Sequence, residues 1–442
     1  MFLIGVFLNP RLLLENALST PTVLKSMDFS DKLTNKLIVM ISFDARKVMK
    51  QTHQTMICMR IVNLRNLSWS PQAIIPLGVY EGPDSNKLLY EHTKQSMTFQ
   101  HLFDLQNTEG KYCFSDNRTG QDLRVELFVT ADGKGRKEGL GCGPYTSTYP
   151  RTWNHQHKQD GKNVDKYCPI TRDATLLKKS APKQPESGAD EMSKDAKMSY
   201  ARTHFGVCAP NPTLVGPERY VPDVLHFKLL TMNRLVAMTM QAISNEDPKQ
   251  LLDFYAHMKQ CLGVMYNFGF ADQAGNLTCT MGGNDCERLR GQSDRIVTCD
   301  CHLLMKNKTQ RDAIALCFKY WNALIDDDEN RDVTKTLLHG DYFLLAHKAI
   351  KIGVALFGPK FPTPTMMERR DQIPYFKKML LENYGLLLAE FDMQGVEHEN
   401  KLQKRIFLAG LKTGGRVDEF EALAQLMVKC LCICVCTLCV FV

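Results

Sequence analysis

Apolar and polar positions along the first third of the chain fall into patterns that predict β-strands. In the segment Lys36–Lys47, KLIVMISFDARK, five consecutive apolar residues stand between charged ones. An unbroken apolar run rich in β-branched residues predicts a strand that is buried on both faces. Asp44 lies at the end of this strand, where its carboxylate is placed to bind a metal ion. Strands often end in a solvated aspartate, so a metal site needs further acids from the rest of the chain.

Three further strands and one helical region are predicted nearby. Residues 55–63 and 73–80 predict the second and third strands, and the short turns between them favour an antiparallel meander. Pro76 within the third segment predicts an edge strand or a bulge. Residues 84–108 predict one or two helices. Residues 122–132, DLRVELFVTAD, alternate apolar and polar side chains and predict a fourth strand that also ends in an aspartate.

The order of these elements predicts a fold and a site. Three strands, a helix and a further strand, with acids ending the first and fourth strands, is the order of an RNase H-like nuclease core. In that fold the first and fourth strands are neighbours, so Asp44 and Asp132, separated by 132 − 44 = 88 positions, would meet. A two-metal nuclease also needs a third carboxylate from a late helix. The candidates are Glu397 and Glu399, in a helix predicted over residues 393–408.

The middle of the chain differs from the predicted sheet in its residue composition and in its apolar spacing. Residues 178–197 are rich in Pro, Ser, Lys and Glu and predict a mobile loop, whereas the segments between residues 222 and 357 have the apolar spacing of core-facing helices. We therefore predict an α/β protein whose RNase H-like mixed sheet is interrupted by a large, mostly α-helical insertion. The predicted parts are an unassigned N-terminal segment (residues 1–35), the first part of the core (36–140), the insertion (141–370), the last part of the core with the acidic helix (371–415) and a cysteine-rich hydrophobic tail (416–442).

Composition and charge indicate a cellular location but do not indicate a function. The 44% apolar and 23% charged content is typical of a globular protein, and the net charge of +7 permits a nucleic-acid partner without requiring one. Five of the sixteen cysteines crowd into the last thirteen residues, and the others form no CxxC pair, so no disulfide framework is indicated. The N-terminus is a poor signal peptide, and the final apolar run is too short for a bilayer span. These features favour an intracellular, reducing location and make a tail-anchored membrane protein the least favoured interpretation.

Five short segments resemble, in order, segments of the V(D)J recombination-activating recombinase and its Transib transposase relatives. They are SFDARK, VTADGKG, VPDVLHF, MGGNDCERL and GVEHENKLQKR. The resemblance covers roughly residues 36–412 and favours Glu397 over Glu399 as the third acid. It implies that Asp44, Asp132 and Glu397 are the catalytic triad and bind two Mg²⁺ or Mn²⁺ ions.

The same resemblance implies an activity and partners. The activity is metal-dependent DNA cleavage and strand transfer, the DNA partner is a duplex like a transposon end, and a homodimer is compatible with it. Charged runs are usually only a solvated face, but basic residues beside the proposed acids are also where phosphates need contacts. The predicted phosphate contacts are Lys134, Arg136, Lys401, Lys404 and Arg405.

The chain departs from the family at a zinc site. The family's insertion is stapled by zinc through a CxxC pair and a HxxxxH pair, and the matching positions here are Arg151, Asn154, Lys377 and Glu382. We therefore expect no zinc, and we expect these four residues to lie close together. The loss leaves a second interpretation open, in which the chain is a domesticated, catalytically inactive remnant that binds DNA or protein.

Overall fold

The computed structural model has a six-stranded mixed sheet and a separate two-stranded hairpin. It describes residues 5–29, 31–47, 53–64, 74–107, 114–116, 121–143, 151–154, 163–182, 193–246, 248–270, 277–296, 308–398 and 401. The strands are β1 (Gly5–Phe7), β2 (Lys36–Lys47), β3 (His53–Ile61), β4 (Ile74–Glu81), β5 (Phe114–Asp116), β6 (Gln121–Thr130), β7 (Tyr266–Phe270) and β8 (Leu277–Met281).

Helices fill most of the remaining described chain. The α-helices are α1 (Pro10–Ser19), α2 (Pro21–Ser26), α3 (Asn86–Ser96), α4 (Thr98–Asn107), α5 (Gly133–Leu140), α6 (Ala174–Ser180), α7 (Lys194–Thr203), α8 (Val224–Glu246), α9 (Gln250–Cys261), α10 (Gly283–Gly291), α11 (Lys308–Asp328), α12 (His339–Phe357) and α13 (Pro364–Tyr384). A short 3₁₀ helix, Leu388–Phe391, leads to a helical segment at residues 394–398. The predicted α/β class with a mixed sheet is therefore confirmed.

The apolar run of β2 lies inside the large sheet, whose strand order is β1-β4-β3-β2-β6-β5. β2, β3 and β4 pair antiparallel, as the short turns predicted, whereas β2 and β6 pair parallel. Ile38, Val39 and Ile41 are fully buried, because β2 has a strand on each side and packing on both faces. Because β2 and β6 are parallel neighbours, their C-terminal ends lie at the same end of the sheet.

Pro76 marks a bulge. The register between β3 and β4 shifts between Ile57 and Cys58, and Cys58 is the residue opposite Pro76. Proline has no N–H to donate to a ladder, so it is tolerated where the pairing is interrupted. The sequence left an edge strand or a bulge open. β4 is not an edge strand, because β1 pairs with its outer side, and the register shift confirms the bulge.

The two faces of the large sheet pack against different elements. Leu37, Val39, Ile41 and Phe43 of β2 point to one face, where they join a core with side chains of α1, α3 and α4. Alternation along a strand sends Ile38, Met40, Ser42 and Asp44 to the opposite face. On that face, Met56, Cys58 and Ile74 cluster with Met393 and Val396 from the end of the described chain. The second face, which we call the acidic face, is the one that carries the candidate site.

The chain divides into two compact units. The first, the sheet unit, consists of Met1–His157, Ile170–Asp223 and Met379–Val442, and the second, the helical unit, of Lys158–Pro169 and Val224–Lys378. The helical unit contains a buried ion pair between Arg369 and Asp328, whose carboxylate also accepts a hydrogen bond from the Tyr342 hydroxyl at 3.0 Å. No helix in the described part of the chain is long and apolar enough to cross a membrane.

Two local features differ from the expected pattern. The predicted loop at 178–197 contains the end of α6 and the first residues of α7, whereas residues 183–192 lie outside the described part. Ser193 begins α7 because its hydroxyl accepts a hydrogen bond from the Ala196 N–H, a cap that outweighs the loop-like composition. The second feature is the hairpin of β7 and β8, which lies between the predicted helical segments and was not predicted.

Candidate functional site

The register of the two parallel strands aligns the first two predicted acids. β2 and β6 pair from Lys36 with Arg124 to Ser42 with Thr130, an offset of 130 − 42 = 88 positions. Asp44 and Asp132 have the same offset: Asp44 lies on β2 two residues beyond the last pair, and Asp132 lies two residues beyond the end of β6. Neighbouring strands are about 4.8 Å apart. The structure thus brings the two aspartates to equivalent positions at the C-terminal ends of β2 and β6.

Asp44 belongs to the acidic face, and Asp132 lies at the junction of β6 and α5. Asp132 follows β6, which ends at Thr130, and its carboxylate is turned towards the start of α5, where it caps the Gly135 N–H. On β2, Ser42 points to the acidic face, where its hydroxyl lies 2.9 Å from the Cys58 thiol of β3. Asp44 follows Ser42 by two residues and therefore shares its face. Both carboxylate residues are half-buried.

The third predicted acid comes to this face on the helical segment 394–398. Asp44 is directly opposite Met56 in the β2–β3 ladder, and Met56 packs with Met393 and Val396. Glu397 follows Val396 and is half-buried, and its N–H donates to the Met393 carbonyl at 3.0 Å in the first helical turn. The helix that carries Glu397 therefore lies over the strand positions that flank Asp44. The rival candidate Glu399 lies outside the described residues.

Aromatic and polar contacts fix the chain that precedes this helix. Phe128 of β6 meets the rings of Tyr384 and Phe391 edge-on, at centroid distances of 5.4 and 5.3 Å. The Glu126 carboxylate, two residues earlier on the same face, accepts hydrogen bonds from the Tyr384 hydroxyl at 2.5 Å and from Arg219 at 2.7 Å. Burial, with the hydrogen bond to Glu126 as the next cause, raises the pKa of Tyr384 above its ordinary value, so the hydroxyl stays protonated and donates.

Asp132 also begins helix α5. One of its carboxylate oxygens accepts the Gly135 N–H at 2.5 Å, the usual role of an aspartate at a helix N-cap. A carboxylate offers about four acceptor positions, so the cap leaves further capacity for a cation. The cap also fixes the direction of the side chain at the end of β6.

The three acids do not form a ligand group as they stand. Within the described part of the chain, no three His, Cys, Asp or Glu side chains are close enough together to hold a metal ion. Carboxylates repel one another, so bringing three of them to a common point requires a cation. The structure therefore places Asp132 at the end of β6, next to the strand of Asp44, and brings the segment with Glu397 to the face of Asp44, without joining the three side chains. Their role as metal ligands stays a prediction.

The basic residues predicted to contact phosphate differ in their exposure and in their partners. Lys134 forms an ion pair with Asp84 at 2.6 Å. Arg136 is 0% exposed and stacks on the Trp153 ring at 4.7 Å, so in this structure it presents no surface to a DNA backbone. The reason is that α5 turns Arg136 inward, whereas Lys134 on the same helix stays exposed. Lys401 is exposed, whereas Lys404 and Arg405 lie outside the described residues.

The four positions matched to the family's zinc ligands have other partners or surroundings. Arg151 and Asn154 are buried in the sheet unit, at 1% and 2% exposure. Lys377 belongs to the helical unit, where its ammonium group pairs with Asp327 and donates to the Thr336 hydroxyl at 2.8 Å. Glu382 is exposed. The expected absence of zinc stays a prediction.

One acid at this edge was not among the predicted site residues. Tyr220 forms a parallel bridge with Val129 of β6, and the Val221 N–H donates to the Val129 carbonyl at 2.8 Å. Asp223 follows the bridged Tyr220 by three residues, as Asp132 follows Val129, so both acids come shortly after this bridge. Asp223 is 0% exposed. Its sequence signal is modest: two apolar residues and a proline precede the acid, as at the end of a short strand.

No family model matches this chain, and no curated protein matches it significantly. These comparisons give no support to the family resemblance, which stays a prediction. The evidence for a site is therefore the placement of the acids themselves.

Proposed function

We propose that this chain catalyses metal-dependent DNA cleavage and strand transfer through an RNase H-like core with two-metal chemistry. The observation that carries the proposal is the shared register offset of Asp44 and Asp132 on adjacent parallel strands. An acid at the end of one buried strand is common. Two acids at matching positions on neighbouring strands are a better indication of a shared ligand site.

The strand order supports the RNase H-like interpretation. Three antiparallel strands, β4-β3-β2, are followed in the sheet by β6, which runs parallel to β2. A late helix then packs on the face that carries Asp44, through Met393 and Val396. This combination of strand order and acidic helix is the arrangement that the sequence resemblance implies.

The donor set suits hard divalent cations. Mg²⁺ and Mn²⁺ prefer carboxylate oxygens, and Asp44, Asp132 and Glu397 would hold them. Such a pair of ions, when bound, supplies charge that favours the attacking and leaving oxygens of an in-line displacement at phosphorus. The protein's own part is positional: β2 and β6 fix the two aspartates, the α5 cap orients Asp132, and the contacts of Val396 fix the helix with Glu397.

The proposed reaction has two steps at phosphorus. In cleavage, a water oxygen attacks the phosphodiester, the bond to the 3′ oxygen breaks, and a 3′-hydroxyl and a 5′-phosphate result. In strand transfer, that 3′-hydroxyl attacks a second phosphodiester, so one P–O bond forms as another breaks and no oxidant or reductant is needed. The partner proposed is duplex DNA like a transposon end, with a homodimer and a nuclear location as further expectations. Lys401 is exposed four residues after Glu397 and would contact that DNA.

Specific observations favour a second candidate, the inactive remnant that binds DNA or protein. The described acids do not form a ligand group, Lys134 is paired with Asp84, and Arg136 is buried. A chain that has lost its chemistry keeps the sheet and its core, because folding depends on these and not on the ligands.

A cleavage assay separates the two candidates. We expect the full chain to nick a labelled duplex when Mn²⁺ or Mg²⁺ is added, and Asp44→Asn to abolish nicking while DNA binding stays, since DNA affinity comes mainly from Lys and Arg contacts to phosphate. Asp104→Asn, the same change at an exposed acid of α4, is the matched control and should nick normally. Wild-type protein that binds DNA but does not nick it with either ion would favour the remnant.

A further inference from the structure

Arg60 is a fully buried arginine on the acidic face, and its role does not follow from the proposed chemistry alone. It lies on β3, opposite Met40 of β2 and Ile74 of β4, and is 0% exposed. Burying a guanidinium group is costly unless its donors find partners. The guanidinium N–H groups of Arg60 therefore need hydrogen-bond acceptors inside the protein.

Two of those donors bind the backbone just before the acidic helix. One terminal nitrogen donates to the Glu390 carbonyl at 2.5 Å and the other to the Asp392 carbonyl at 3.1 Å. These carbonyls lie at the end of the 3₁₀ helix Leu388–Phe391, where backbone acceptors lack intrahelical partners and carry partial negative charge. The planar guanidinium reaches two separate acceptors at once, which an ammonium group does less well.

The same junction sets the start of the helix with Glu397. The Asp392 side chain accepts the Gln394 N–H at 2.7 Å, so Asp392 is held by Arg60 through its carbonyl and caps the next helix through its carboxylate. Immediately afterwards, Met393 is fully buried against the sheet. The direction of the acidic helix is therefore fixed at its first residues.

The side chains of β3 form a row beneath this segment. Arg60, Cys58 and Met56 share the acidic face, and Met56 is opposite Asp44. Four residues of strand span about 13 Å, so the row joins the backbone contacts of Arg60 at one end to the aspartate at the other. The chain from Glu390 to Val396 follows the row, because its carbonyls contact Arg60 and its apolar side chains contact Cys58 and Met56.

We infer that Arg60 is the positioning residue for the third acid: it anchors the carbonyls of Glu390 and Asp392 to the sheet and so holds Glu397 towards Asp44 and Asp132. This inference rests on the proposed function for its catalytic meaning, but the anchoring itself is a property of the fold. Arg60 touches neither DNA nor metal in this role.

Hydrogen exchange tests the anchoring independently of any activity. We expect Arg60→Met to speed amide exchange in peptides covering residues 388–398 by roughly tenfold to a hundredfold, the factor that corresponds to losing charge-assisted hydrogen bonds. Peptides covering β6 should exchange at the wild-type rate. Arg60→Lys, which keeps the charge, should give an intermediate rate, and it decides the matter if Arg60→Met does not fold. Unchanged exchange at 388–398 in the folded variants would overturn the inference.

Metal dependence tests the positioning. Arg60→Met should raise the Mn²⁺ concentration at half-maximal nicking by roughly tenfold, with Arg60→Lys between it and wild type, because a misplaced carboxylate weakens the ligand set. Arg369→Met, a change at an equally buried arginine in the helical unit, is the control and should lower stability without moving this midpoint. An unchanged midpoint in both Arg60 variants would overturn the positioning role. If wild-type protein does not nick at all, the proposed function fails, and the exchange data still decide whether Arg60 anchors the segment.

Discussion

His92 makes the stability of the sheet unit sensitive to mild acid. It lies on α3, is 3% exposed and stacks on the Tyr80 ring at a centroid distance of 4.3 Å. Its Nε2 atom has no hydrogen-bond partner among the described residues. Burial lowers the pKa of His92 from 6.5 to about 4, because the apolar surroundings disfavour the charged ring.

The sign and size of the effect follow from that difference. Above pH 6.5 the His92 ring is neutral in both the folded and the unfolded chain, so it contributes no pH dependence. Between pH 6.5 and about 4 the unfolded chain binds a proton that the folded chain does not, so the free energy of unfolding falls as the pH falls. A difference of about 2.5 pKa units corresponds to roughly 3 kcal/mol at most.

Urea denaturation of wild type and His92→Phe at several pH values measures this contribution. Phenylalanine keeps the stacking on Tyr80 and cannot be protonated, so the variant should lose less stability than wild type between pH 7 and pH 4.5. His339→Phe, at an exposed histidine of α12, is the control and should follow wild type. Equal losses in wild type and His92→Phe would refute the reasoning, since carboxylates that titrate in this range are common to both.

Two substitutions test other parts of the fold by the same denaturation assay. Arg369→Met should destabilise the helical unit by about 3–5 kcal/mol, because it leaves the buried Asp328 carboxylate without its cation; a loss below about 1 kcal/mol would contradict the importance of the pair. Gly141→Ala should cost more than about 1 kcal/mol, because φ is +68° and the added Cβ would lie 2.0 Å from the Ala209 carbonyl oxygen. Gly291→Ala, where a Cβ meets nothing within 4 Å, should be nearly neutral, and equal effects at both glycines would contradict the second prediction.

The sheet was predictable where the pattern of apolar residues is long and regular. The run in β2 and the alternation in β6 each specify a strand, and the acids at their ends gave the offset of 88 that the parallel register reproduces. The pairing of β1 with β4 was not predictable, because β1 has only three residues and its partner lies more than seventy positions away.

The errors have local physical causes. β8 does alternate, with Leu277, Cys279 and Met281 buried and the threonines exposed, but a five-residue strand between helices is a weak signal. The burial of Arg136 could not be read from the chain, because a basic residue after a strand-end acid resembles a solvated one until α5 is placed. Asp223 became a candidate only through the register at Tyr220, which requires a long-range contact.

The measurement that tests the central claim most directly is metal-dependent nicking by wild type and Asp132→Asn on the same labelled duplex. Asparagine is as good an N-cap as aspartate, so the substitution keeps the start of α5 while it weakens a proposed metal ligand. We predict that the variant folds and binds DNA like wild type but no longer nicks it with Mn²⁺ or Mg²⁺. Nicking at the wild-type rate by Asp132→Asn would contradict the role of the paired strand-end aspartates.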